Sequence, residues 1–231
     1  TWTSTTLESP DFTGADLTGA NFTSATLTSA TATGANLSSA NLKLTTLTSL
    51  SAVGASLDGA SLANTNATGA VLNNASMVGV TGRYMSLADA MLYGADLSNA
   101  SLVWSNFDNA NAYGATLTGA TFTDSSFSRT KLEGVDLTGA NLTGSKMGNV
   151  SLRAANLTGA DVSYTDMTAA NLSGAILTDA NSTDSYAAAA YADIRAWSRK
   201  AQETGLIEDY CGCLDQESAG PDHRGKKELE Q

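Results

Sequence analysis

Large apolar side chains recur at every fifth residue of this chain. From Leu7 to Ser182 the position is Leu, Phe or Met in 29 of 36 cases, without a slip of register. Two residues earlier stands Ala in 22 of the 36, as in Ala15-Asp16-Leu17, Ala95-Asp96-Leu97 and Ala140-Asn141-Leu142. The residue between them is most often Asn, Asp, Ser or Thr, and two residues such as Thr-Gly or Ser-Gly follow. Residues two apart on an extended backbone face the same way, so the Ala and the large residue both point inward while the polar residue between them points out. The trailing pair suits a corner, because Gly tolerates unusual backbone angles and small hydroxyl residues bond their own backbone. A flat strand alternates with period two and cannot hold a period of five, so the chain must turn once per unit. Self-similarity of this length at one fixed period is the signature of a solenoid.

The unit A-(N/D/S/T)-L-(T/S)-(G/S/x), running over roughly residues 5–185, resembles the pentapeptide-repeat family. The resemblance implies an all-β, right-handed, four-sided parallel β-helix with one unit per side and 20 residues per coil. Thirty-six units would then make about nine coils, a rod of about 43 Å at the ~4.8 Å spacing of stacked strands. Columns of residues 20 apart support four sides independently, since a pure five-residue repeat would not distinguish them. One column of large positions reads Leu17, Leu37, Leu57, Met77, Leu97, Leu117, Leu137, Leu157 and Leu177, whereas another drifts to Phe107, Phe127, Met147 and Met167. The small inward positions of that second side are Thr45, Thr65, Ser105, Ser125, Ser145 and Thr165. Buried hydroxyls need partners, so this column is expected to bond the backbone as a ladder. A row of nucleophiles would need a recurring His or Lys base beside it, and there is none.

Departures from the repeat come in two kinds. Gly82 stands where a large residue is expected and Met85 where a small one is, and Leu50 with Ala52 look the same; an exchange of sizes would keep the interior filled. The outward aromatics are different. Tyr84 and Trp104 should stack one coil above the other, and Tyr93 and Tyr113 do so on another side. Arg83 and Val103 adjoin the first pair and Met91 the second. Exposed apolar clusters mark contact surfaces, which makes these seven residues candidates for partner binding; aromatic ladders that merely stabilise a sheet are the alternative.

The open ends of a solenoid need caps. Trp2 is the obvious plug at the first coil, where a partner or a second copy could also sit. After Asp184-Ser185, Tyr186, Ala190, Ile194, Trp197 and Ala201 recur at spacings of three and four, predicting a capping helix over 186–205 that stops at Gly205. A dimerisation helix is the second reading of this stripe. Residues 206–231 are polar and irregular and read as a tail, leaving three segments: 1–185 β-helix, 186–205 helix, 206–231 tail.

Charge and chemistry narrow the function. Net charge is -11 with only 15% charged residues, and up to Ser185 there are 14 acidic and 6 basic residues. This disfavours direct contact with nucleic acid phosphates and suits solubility or a basic partner. No run of 18 apolar residues could cross a membrane as a helix. Cys211 and Cys213 could form a strained disulfide, share a metal or stay as thiols; with His223 alone nearby, no metal and no cofactor are assigned. No nucleophile elbow, acid pair or glycine loop is present, so an enzyme is not expected.

A structural or adaptor protein that binds a protein partner through a rigid face is the leading expectation. The family likeness implies a role in an organellar or photosynthetic assembly as one setting, since such proteins occur in cyanobacteria and the thylakoid lumen. The first residue, Thr1, fits a processed or truncated chain; loss of a targeting peptide would suit a plastid, and otherwise the cytoplasm. The alternative, also implied by the family, is an acidic rod that mimics DNA toward a type II topoisomerase and is often dimeric through its C-terminal end.

Overall fold

The computed structural model describes residues 1–187. Thirty-three parallel β-bridges run from Thr6 with Thr26 to Asp166 with Tyr186, and every one joins a residue to the residue 20 further on. Each bridge is made by the outward middle residue of a unit, so the unit is one side and four sides close a coil. Both flanking inward positions are buried, as Ala95 and Leu97 are.

The reason this sequence adopts this path lies in the fate of its amide groups, which the interior of a coil cannot leave unpaired. Among residues 95–99 all five are accounted for. Ala95 N–H closes a turn onto Leu92 O at 3.0 Å, and Asp96 N–H reaches the preceding coil at Ala75 O, 3.0 Å. Leu97 and Asn99 donate to the following coil, at Thr116 O (2.7 Å) and Thr118 O (2.9 Å). The fifth, Ser98 N–H, has no carbonyl to meet and is taken by the Asp96 side chain at 2.9 Å. The same capture recurs at Asp16, Asn36, Asn66, Asp136, Asn156 and Asp161. Where Asn or Asp stands in the middle of the unit it can thus serve the backbone, as an Asx turn.

The corner demands its own residue. All 37 positions from Ser4 to Asp184 at this point of the unit have φ between 43° and 70°, and 15 of them are Gly. At most corners the next N–H returns to the carbonyl three residues back, as Ala95 does to Leu92 O, the hydrogen bond of a type II turn, whose third residue must be left-handed; after Tyr84 and Trp104 it goes instead to Ser105 Oγ and Ser125 Oγ.

The interior is continuous from Leu17 to Ala180. The expected hydroxyl ladder is there: Thr45, Thr65, Ser105, Ser125 and Ser145 donate to Phe22 O, Leu42 O, Gly82 O, Leu102 O and Phe122 O of the coil before, at 2.6–3.1 Å. Thr165 donates to Val162 O of its own turn instead. Met85 interrupts the ladder, and its N–H turns to Ser105 Oγ at 3.2 Å. The size exchange also fits the packing: Met85 is buried, and a β-carbon at Gly82 would come within 2.9 Å of Leu102 Cδ2 and 3.3 Å of Leu62 O. Phe107 stacks on Phe127 at 4.7 Å, with Phe122 edge-on to both.

At the first coil Trp2 does not act alone. Its ring stacks on Phe22 at 4.9 Å and meets Phe12 edge-on at 6.3 Å, so three aromatics close that end of the interior. At the other end the coil continues to Tyr186, which donates to Thr165 O and accepts from Met167 N–H. The first residue of the expected capping helix therefore belongs to the last coil. The rest of that helix and the tail at 206–231 lie outside the described residues.

Candidate partner-binding corners

The seven candidate residues divide between two corners of the square. Arg83, Tyr84, Val103 and Trp104 follow one side, whereas Met91, Tyr93 and Tyr113 lie two units further along the chain. Two units are half a coil, which sets the groups on diagonally opposite corners, so they do not form one patch.

At the second corner Tyr93 and Tyr113 stack at 5.6 Å with rings 3° from parallel. Both occupy the first turn position, where φ is negative and any residue fits. Below Tyr113 lies a shallow depression lined by Glu133, Gly134, Arg153, Ala154 and Ser173.

The first corner is built differently. Tyr84 and Trp104 sit at the left-handed position itself, with φ of 57° and 53°. An L side chain there crowds the carbonyl that follows, at a cost of roughly 1–2 kcal/mol, which Gly avoids. Leu44 and Tyr164 share the feature, at φ of 59° and 56°. These are the only Leu, Tyr or Trp residues at positive φ among the described residues, and all four fall in the same column of 20. All are well exposed, Leu44 and Tyr84 at 57%, Trp104 at 40% and Tyr164 at 62%. Leu44 and Tyr164 were not among the seven; following the Tyr84 column by steps of 20 would have found them.

Interactions along the corner hold the rings in place. Tyr84 and Trp104 stack at 5.2 Å and 14°. The Arg83 guanidinium lies 4.1 Å from the centre of the Trp104 ring, and the indole N–H donates to Asp124 at 3.2 Å. Stacking and a cation over the ring contribute about 0.5–1.5 kcal/mol each and offset part of the backbone strain. Each ring gives one face to the stack, and both remain well exposed.

Eight of the 14 acidic residues up to Ser185 accept a backbone N–H of the coil. Asp11 and Asp16 titrate below the ordinary value of 3.8 because the Thr13 and Thr18 side chains and then their N–H groups bond the carboxylate. Asp136 is lowered chiefly by the Thr138 hydroxyl. For Asp161 the largest influence is burial, which raises the value, and the Ser163 hydroxyl and N–H, aided by Asn181 and Thr143, outweigh it. Among the described residues no group of His, Cys, Asp and Glu could hold a metal ion, and no helix is long and apolar enough to cross a membrane. The buried hydroxyls of Thr45, Thr65, Ser105, Ser125, Ser145 and Thr165 donate to backbone carbonyls, whereas that of Ser163 donates to the Asp161 carboxylate.

A square coil of five-residue sides, filled with Leu and Ala and cornered by left-handed residues, defines a quadrilateral β-solenoid. The family model of pentapeptide repeats matches it in eight copies, over 11–48, 53–81, 86–124, 100–139 and 136–174. This is more than half of the chain, which therefore belongs to the pentapeptide-repeat family, and a right-handed sense of the coil comes with that fold. The matches skip 49–52 and 82–85, the two places where large and small residues have traded positions.

Solved relatives are of the same kind. HetL, a pentapeptide repeat protein involved in heterocyst differentiation regulation in the cyanobacterium Nostoc sp. strain PCC 7120, is 27% identical with a TM-score of 0.47, over 83% of this chain and 88% of HetL. A trypsin-treated variant of QnrB1, a plasmid-mediated fluoroquinolone resistance protein, is 19% identical with a TM-score of 0.50, over 88% of this chain and 96% of that one. A pentapeptide repeat protein from the Arabidopsis thaliana thylakoid lumen is 31% identical with a TM-score of 0.30, over 41% of this chain and 63% of its own. Among curated proteins none matches the chain.

Proposed function

We propose that this protein is a non-enzymatic scaffold that binds a protein partner along the corner carrying Tyr84 and Trp104. One observation carries the reading: large apolar side chains occupy the left-handed position at one corner only, where Gly, Ser or Asn would serve the fold better. Local strain that stability does not need points to a use for the side chain. Aromatic residues with an adjoining Arg are also the types that dominate binding hot spots. The Tyr93 and Tyr113 corner is a second contact surface in this proposal, without the strain argument.

Replacing Tyr84 and Trp104 with Ser, a residue the same position accepts at Ser4 and Ser24, tests it. Capture of the partner from native extract should be lost while the thermal midpoint holds; unchanged capture would sink the reading. We place the partner in an organellar or photosynthetic assembly on family likeness alone. The topoisomerase alternative rests on the charge, of which eight of the 14 carboxylates up to Ser185 also serve the coil as N–H acceptors.

A further inference from the structure

The corner also says what its partner looks like. From Lys43 to Trp104 the two corner columns read Lys43-Leu44, Ala63-Asn64, Arg83-Tyr84 and Val103-Trp104, with two cations and no carboxylate. The outward columns on either side of it are neutral as well: Asn41, Ser61, Thr81 and Ser101 on one, Thr46, Asn66, Ser86 and Asn106 on the other. A chain of net charge -11 therefore keeps a cationic, apolar strip four coils long. Among the described residues neither Lys43 nor Arg83 has a carboxylate partner, and the Arg83 contact with Trp104 leaves its N–H donors unspent. The first carboxylate on the corner is Asp124, which marks the end of the strip and holds the Trp104 indole.

Resting on the docking corner proposed above, we infer that the strip takes an extended acidic and apolar segment of the partner, with carboxylates aligned on Lys43 and Arg83. The dimensions favour a segment over a folded surface or a second copy. From Leu44 to Trp104 the strip spans three coil rises, about 14 Å at the strand spacing, and is one side chain wide. Its area, on the order of 150 Å², falls short of the ~800 Å² per partner that stable folded interfaces bury. A second copy would also bring its own excess of acid to the rest of the contact. Lys43 and Arg83 stand two coils apart, about 9.6 Å. A polyproline II segment repeats every three residues over about 9.3 Å, so carboxylates at every third residue fall in step with the two cations.

The test uses the full chain and a labelled nine-residue peptide, acetyl-PLEPLEPLP-amide, read by fluorescence polarisation, with a second peptide carrying Gln for Glu. The Glu peptide should bind saturably and lose affinity with salt. It should weaken about tenfold or more on Lys43→Gln with Arg83→Gln, and equally when its Glu residues become Gln. Arg129→Gln with Lys131→Gln, which removes two cations that lie off the corner, should leave it unchanged. No saturable binding at millimolar peptide, or equal affinity on the Lys43 and Arg83 variant, overturns the inference. If that variant still captures the native partner while Tyr84→Ser with Trp104→Ser does not, the corner stands and its acidic ligand falls.

Discussion

A repeat restored to its own average would carry Leu at position 82, and that substitution is expected to weaken the protein. A β-carbon there would lie 2.9 Å from Leu102 Cδ2, 3.2 Å from Leu62 Cβ and 3.3 Å from Leu62 O. The first neighbour can rotate away, but the carbonyl is backbone and cannot. Overpacking a tight interior costs about 1–3 kcal/mol, and contact with backbone puts Gly82→Leu at the upper end. Met85→Ala, which empties a side chain only 2% exposed, should cost about 2–5 kcal/mol. Joining the two moves the volume back to where the other coils keep it. The double variant should be more stable than the sum of the single effects by about 1–3 kcal/mol. Equilibrium denaturation of the four proteins measures this, and 1 kcal/mol should appear as roughly 2–4 °C in the thermal midpoint for a domain of this size. A neutral Gly82→Leu, or costs that simply add, would refute the exchange of volume between these positions.

Other outcomes follow from the same structure. Asp96→Ala removes the acceptor of Ser98 N–H and should cost about 1 kcal/mol, whereas Asp96→Asn keeps the oxygen and should be nearly neutral by denaturation. Asp11, Asp16, Asp136 and Asp161 titrate below 3.8 when folded, so near that pH the unfolded chain binds more protons. Their stabilisation is complete above the unfolded value and disappears as pH falls through the lowered folded ones; the denaturation midpoint should be level from pH 7 to 5 and drop below about 4. Asp16→Asn with Asp136→Asn should flatten that drop. Near the first coils an apolar cavity of about 20 Å³ is lined by Ala30, Ala32, Leu50 and Leu57 among others. Ala32→Val should fill part of it and raise stability by roughly 0.5–1 kcal/mol in a melt. The protein should leave gyrase supercoiling unaffected, and strong inhibition would restore the DNA-mimic reading.

Much of this molecule was legible in its residues because the solenoid is local in a particular sense: each unit forms its β-bridges with the units 20 before and after. Period five demanded a turn per unit, and columns such as Leu17 to Leu177 revealed the four sides. The hydroxyl column at Thr45 and Thr65 was readable as a ladder because a buried hydroxyl has few choices of partner. What the tertiary structure decided is where backbone donors are left over and which way the corners bend. Only the coil shows that Asp96 and its equivalents each answer a stranded N–H, which turns an apparent surface charge into part of the fold. Only the coil separates Tyr84 and Trp104 from Tyr93 and Tyr113. The stacks look alike as pairs 20 apart, yet one sits on strained left-handed backbone beside Leu44 and Tyr164, and the other on backbone that any residue adopts. Sequence spacing records which residues align, whereas backbone angle, a property of the closed coil, determines which of them the fold would not have chosen.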